Sequence, residues 1–149
     1  MQKVKEIMTR DPITIGPKTE IAEATRILLE NRINGVPVVN DDGRLVGILC
    51  QSDLIAQQKD LPLPSLFTLL DGFVPMTSMK QMEKQVRKIA AITAEEAMTR
   101  DPVTVKPDDD IGKVATLMVD RNFHTLPVVA DGELVGVVGK EDVLRTLVP

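Results

Sequence analysis

Few side chains in this sequence can do chemistry. One cysteine, Cys50, and one histidine, His124, stand among 18 Lys+Arg and 22 Asp+Glu in 149 residues. That supplies neither a Cys/His zinc set nor a thiol–imidazole nucleophile pair. Cys50 has no histidine beside it and closes an apolar run, so it reads as a packed thiol. The run Asp108-Asp109-Asp110 invites a divalent metal, yet it stands where a helix begins and acids cap, so no metal site is expected. Arg10 and Arg100 recur at identical positions, and a guanidinium suits a phosphate as well as the adjacent Asp11 and Asp101. Lys106 and Lys140 fall in loops, either solvated or meeting phosphate. With no P-loop pattern and a scarcity of general bases, no enzyme is expected. Binding chemistry is left: carboxylates that accept hydrogen bonds and cations that meet anions.

Composition frames these groups. With 43% hydrophobic and 27% charged residues the chain can build a buried core. A net charge of −4, with basic residues scattered among acidic ones, argues against a nucleic-acid partner. No apolar run approaches the roughly 18 residues of a membrane span, so no membrane is expected. The polar start MQKVKE lacks the apolar segment of a signal peptide, and a lone cysteine forms no internal disulfide; the expected address is the cytoplasm.

The elements that position these groups come in two copies. MTRDPITIGPKTEI, from Met8, recurs as MTRDPVTVKPDDDI from Met98, and VPVVNDDGRLVGILCQSDL recurs as LPVVADGELVGVVGKEDV. The copies differ by one residue, where Asn40-Asp41-Asp42-Gly43 becomes Ala130-Asp131-Gly132, a difference that a hairpin turn tolerates. In each copy a short extended segment (Ile13 to Ile15, Val103 to Val105) follows an X-Pro pair. A helix comes next, capped by Thr19 in the first copy and by Asp109 or Asp110 in the second. Its apolar stripe is Ile21, Ala24 and Leu28, or Ile111, Val114, Leu117 and Met118. Two hairpin strands follow, Val36 to Val39 with Leu45 to Leu49, and Leu126 to Val129 with Leu134 to Val138, then a short helix from about Ser52 or Asp142. The unit is β-α-β-β-α, about fifty residues, too small to bury both faces of its sheet, so the copies should pack together.

The expected layout is a first unit at residues 1–59, a helical insertion at 60–92 and a second unit at 93–149. In the insertion Pro64 and Ser65 can start a short helix that Gly72 stops. Ser78 with Gln81 carries a capping-box signature for a second helix, with Met79, Met82, Val86 and Ile89 on one face. Phe67 and Phe73 fall in this segment, which is expected to cover apolar surface of its own molecule in preference to a partner's. Thr93 with Glu96 repeats the signature before the second MTRDP.

The order MTxDPxTV, helix, GVPVV, turn, LVGhhxxxDL resembles the CBS domain family, and two such units resemble a tandem CBS pair, or Bateman module. The resemblance covers nearly the whole chain outside the insertion. It implies an α+β fold, two units packed with pseudo-twofold symmetry, two clefts between them and a disc-like homodimer. It implies a regulatory adenine-nucleotide-binding module for AMP, ADP, ATP or S-adenosylmethionine, acting on a regulated protein. The adenosyl ligand, with or without magnesium, is then a regulatory ligand and no cofactor is required. The alternative is a ligand-free module that only dimerises.

The family's GxxTxxD signature falls on Gly47 to Asp53 and Gly136 to Asp142, with Cys50 and Gly139 at the Thr position and Ser52 beside Asp53. The resemblance implies that the glycines admit ligand to the backbone and that Asp53 and Asp142 accept hydrogen bonds from a ribose; the plainer reading is two acids in the first turn of a helix. It implies Thr14, Ile15, Thr104 and Val105 beside the base, Val36 and Leu126 as apolar walls, and His124, Lys140, Arg10 and Arg100 toward phosphate. On that mapping Ser52 belongs to one cleft and His124 with Lys140 to the other, which a polyphosphate would prefer.

Overall fold

A computed structural model describes residues 2–58 and 76–149. In chain order its elements are α1 (Val4–Ile7), β1 (Thr9–Arg10), α2 (Ile21–Asn31), β2 (Gly35–Val39), β3 (Leu45–Cys50), α3 (Gln51–Ala56), α4 (Met76–Ala91), α5 (Ala94–Ala97), β4 (Thr99–Arg100), α6 (Ile111–Arg121), β5 (Thr125–Ala130), β6 (Glu133–Gly139) and α7 (Lys140–Arg145). They form a mixed helix and strand fold with two three-stranded sheets, ordered β1-β6-β5 and β2-β3-β4. Among the described residues no helix is long and apolar enough to cross a membrane.

The two halves follow the same local rules. Ile21, Ala24 and Leu28 bury one stripe of α2, and Val114 is the fully buried residue of α6, flanked by half-buried Ile111, Leu117 and Met118. Both helices stop at a residue in the left-handed region, Arg32 (φ 53°) and Asn122 (φ 56°). In the first, the Ile33 N–H reaches the Leu28 carbonyl at 3.1 Å and the Arg32 N–H reaches Leu29, closing a Schellman motif without glycine. The length difference between the copies is a choice of turn. Asp131 (φ 53°) and Gly132 (φ 81°) make a two-residue hairpin loop of the I′ kind, whereas Asp41-Asp42-Gly43 spans three residues with Gly43 (φ 79°) as its left-handed member.

Several local expectations change. The segments at Ile15 and Val105 shrink to single parallel bridges, to Val38 and Val128. Thr19 does not cap α2: Glu20 holds that position, and the Thr19 hydroxyl accepts the Gly16 N–H at 3.1 Å. In the second copy the Asp109 carboxylate closes the equivalent turn, accepting the Lys106 N–H at 2.8 Å, and this bond chiefly holds its pKa below the usual carboxylate range. Ser78 lies inside α4 (Met76–Ala91) and is not its cap. Val86 on this helix is exposed, and Ile89 is half-buried near the contact with α2. The shorter helix expected from Pro64 and Ser65 to Gly72, with Phe67 and Phe73, lies outside the described residues.

The leading helix and strand of each half cross to the other half. β1 pairs antiparallel with β6 (Thr9 opposite Val137, Arg10 opposite Gly136), and β4 pairs with β3 (Gly47 opposite Arg100, Ile48 opposite Thr99). The preceding helices cross with them: Val4 N–H donates to the Asp109 carbonyl at 2.9 Å, and Ala94 N–H to the Thr19 carbonyl at 2.7 Å. Fully buried Val4 belongs to the core of the second half, and Ala94 and Ala97 to the core of the first. Lys3–Asp110 (2.7 Å), Lys5–Asp108 (2.9 Å) and Lys18–Glu95 (2.7 Å) mark the seams, although such exposed pairs add little stability. The aspartate run is thereby accounted for, since Asp109 pairs with Lys113.

Two repeated glycines set how closely the crossing strands approach. A Cβ on Gly47 would meet the Thr99 carbonyl oxygen at 2.9 Å and the Met98 side chain closer still, and a Cβ on Gly136 would meet the Thr9 carbonyl oxygen at 2.7 Å. Backbone cannot give way as a side chain tip can. Gly47→Ala and Gly136→Ala are each expected to lower stability in urea by about 1–3 kcal/mol. Gly112→Ala, on α6 with nothing within 4 Å, should be neutral or stabilising by up to about 1 kcal/mol. Equal effects at all three positions would contradict this account of the seam.

Candidate ligand-binding site

The crossing builds two cavities, each with walls from both halves. The larger, about 480 Å³, has Cys50, Ser52 and Asp53 of the first half facing Thr99, Val103, His124 and Leu126 of the second. The smaller, about 270 Å³, has Asp142 and Arg145 of the second half facing Thr9, Asp11, Ile13 and Arg32 of the first. Small-molecule pockets commonly run from about 300 to 1,000 Å³, which favours the larger.

The two aspartates share one role and differ in a second. Asp53 sits in the first turn of α3, where Oδ2 accepts the Cys50 N–H at 2.8 Å; Asp142 does the same in α7, accepting the Gly139 N–H at 2.8 Å. Both therefore close helix starts, as their position alone suggested. The second oxygen decides what else each can do. Asp53 Oδ1 accepts the Thr99 hydroxyl across the halves at a long 3.3 Å, whereas Asp142 Oδ1 is held by the Arg145 guanidinium at 2.8 Å. An incoming hydroxyl replaces one long hydroxyl contact at Asp53 and must compete with an ion pair at Asp142.

The candidate residues separate accordingly. Cys50, Ser52, Asp53, His124, Leu126 and Lys140 line the larger cavity; Asp142 and Lys140 line the smaller. Ser52 and His124 thus share one cavity, and the division that gave each its own cleft is corrected: the crossing strands set Asp53 against the second half. Ile15, Val36 and Val105 are buried core residues and line neither cavity. Thr14 and Thr104 are exposed outside both walls, and their neighbours Ile13 and Val103 line the cavities instead. Arg10 and Arg100 also lie outside, on β1 and β4, with Arg100 donating to the Glu95 carbonyl at 3.3 Å. Gly47 and Gly136 admit a crossing strand, and neither lines a cavity.

Four residues absent from the expected set face the cavities: Asp11 and Asp101, with φ of 50° and 46°, and the helix-ending Arg32 and Asn122. For Asp11 and Asp101 the exact repetition of Thr9-Arg10-Asp11-Pro12 at Thr99 was the available signal; Arg32 and Asn122 are not repeated. A non-glycine residue held left-handed before proline stores strain that a simple loop would release.

A family model for the CBS domain matches residues 4–60 and 94–149. The chain belongs to the CBS domain family. It is 32% identical to the uncharacterized protein MJ1426 of Methanocaldococcus jannaschii over 97% of this chain and 90% of that one. It is 30% identical to the chloroplastic CBS domain-containing protein CBSX1 of Arabidopsis thaliana, over 95% of this chain but only 62% of that one. Among solved structures, CBSX2 in complex with AMP superposes with a TM-score of 0.73 at 25% identity, covering 99% and 96% of the two chains. The CBS domain pair of MJ0100, in complex with 5′-methylthioadenosine and S-adenosyl-L-methionine, gives 0.70 at 30% identity, covering 99% and 96%.

In this CBS pair the Thr position of the first signature is a thiol that does little chemistry. Burial, and then the neighbouring Asp53 charge, push the Cys50 pKa from 9.0 to about 12. The thiolate is the reactive form, so at pH 8 an aromatic disulfide reagent should label Cys50 roughly 100-fold or more slowly than a free thiol. The folded state holds this proton more tightly than the unfolded state, so the thiol's contribution to stability is lost as pH rises from about 9 toward 12. Free-thiol labelling rates at pH 8 in the folded protein would contradict the assignment.

Proposed function

We propose that this CBS pair is a non-catalytic regulatory module of the cytoplasm that binds an adenine nucleotide of the AMP, ADP or ATP type and signals its occupancy to a partner protein. The larger cavity is the principal site. The observation that carries the reading is Asp53, half-buried, with one oxygen fixed on its helix and the other on an easily displaced hydroxyl. A carboxylate so held accepts hydrogen bonds from a ribose diol. Ile48, Val103, Leu126 and Pro127 supply an aliphatic sandwich for the base, and His124, Arg121 and Lys140 offer cationic or hydrogen-bonding groups to phosphate. The AMP complex of CBSX2 supports this chemistry, and the MJ0100 complex supports S-adenosylmethionine as a second ligand to test. Since each cavity joins the two halves, a ligand that bridges them favours one relative orientation, and that difference in affinity does the signalling.

The exposed apolar residues support a homodimer. Leu29 and Val119 occupy equivalent positions on α2 and α6 at 69% and 80% exposure, and Ile55 and Leu144 are equivalent on α3 and α7. A second copy related by a twofold axis covers such a symmetric set in one self-complementary contact.

Calorimetric titration with AMP, ATP and S-adenosylmethionine tests the ligand. The expected outcome is saturable adenine-nucleotide binding that Asp53→Asn weakens about tenfold, the worth of one charge-assisted hydrogen bond, and Asp142→Asn weakens less. No heat at millimolar concentrations of all three would leave the dimerising module as the better account. Light scattering should give twice the chain mass, reverting to one in Leu29→Glu with Val119→Glu; an unaltered dimer would place the interface elsewhere.

A further inference from the structure

The walls of the two cavities share three residues, Asn34, Thr125 and Lys140, and only Lys140 carries a charge. Its backbone N–H donates to the His124 carbonyl at 2.9 Å, which fixes the root of the side chain between the cavities. The equivalent position in the first half is Gln51, whose N–H donates to the Asn34 carbonyl at 3.0 Å and which brings no charge. The repeat therefore places one cation where symmetry would place two. Nearby Glu141 and Asp142 both face Arg145, at 3.9 and 2.8 Å, so Lys140, exposed, is not tied to either.

We propose that Lys140 is a shared phosphate contact that makes binding of two anionic nucleotides mutually unfavourable. A single ammonium on a flexible four-carbon stem can serve one cavity or the other, not both. The first nucleotide takes the cation, and the second binds without it, in a cavity next to an added negative charge. By linkage the penalty is the same whichever cavity fills first. Lys140 thereby turns two cavities into a graded sensor, whose second site fills at higher ligand concentration. This inference rests on the adenine-nucleotide reading above.

The test compares AMP with uncharged adenosine by calorimetry on the full chain, with Lys140→Gln. It adds two single-cavity variants: Ile13→Trp to fill the smaller cavity and Val103→Trp to fill the larger. In the wild-type background Lys140→Gln should weaken the first AMP step by about tenfold, leave the second step unchanged, and leave adenosine unaffected. In each single-cavity variant the same substitution should weaken AMP by about tenfold, because Lys140 is then free for whichever cavity remains. Dependence on Lys140 in only one single-cavity variant would assign it to one cavity and overturn the sharing. Equal weakening of both wild-type steps, or of neither, would overturn it without the tryptophan variants. AMP binding persists in those outcomes and the nucleotide reading stands; absence of AMP and adenosine binding by the wild-type chain overturns both.

Discussion

Each half of this molecule is completed by backbone from the other, and the approach is so close that only glycine fits at the crossing. At Gly47 and Gly136 the carbonyl oxygens of Thr99 and Thr9 occupy the space a Cβ would need. The strands that cross are only two residues long, so hydrogen bonds alone hold them weakly. Buried Val4 on one side, and Ala94 with Ala97 on the other, anchor them by placing the preceding helix in the opposite core. The halves are thus one unit by construction, and a change in the seam is felt on both sides.

The cavities follow from that seam. A residue at the start of a short helix in one half faces the strand entry of the other because the intervening β1 or β4 belongs to the opposite sheet. The two cavities then diverge through single substitutions between the copies. Arg145 occupies one aspartate, while Thr99 only touches the other; Gln51 stands where the second half has Lys140. A duplicated fold supplies two similar sites, and a few side chains make them unequal in volume, charge and availability.

Much of this was legible in the residues. The repeat, the hairpins, the apolar stripes of α2 and α6 and the capping signature at Thr93 are local, and local spacing dictates them: Glu96 Oε1 does accept from the Thr93 hydroxyl at 3.0 Å. The family and its paired fold were also legible, because both copies carry the motif in order. What was not legible is the crossing. Sequence order places Val4 to Asp11 with the first half, but the Asp109 carbonyl holds Val4 and Gly136 pairs with Arg10 in the second, contacts more than a hundred residues away in the chain. The assignment of Ser52 and His124 to separate clefts failed for that reason. Thr14 and Thr104 were displaced from the wall by a smaller effect: the expected strand is a single bridge, so alternation along it does not set which side chain faces the cavity.

The central claim is that a nucleotide in the larger cavity bridges the two halves. A crystal structure with AMP tests it most directly. The account predicts ribose hydroxyls on Asp53 of the first half and adenine between Val103 and Leu126 of the second. AMP held by residues of one half alone, with Asp53 still on the Thr99 hydroxyl, would contradict it.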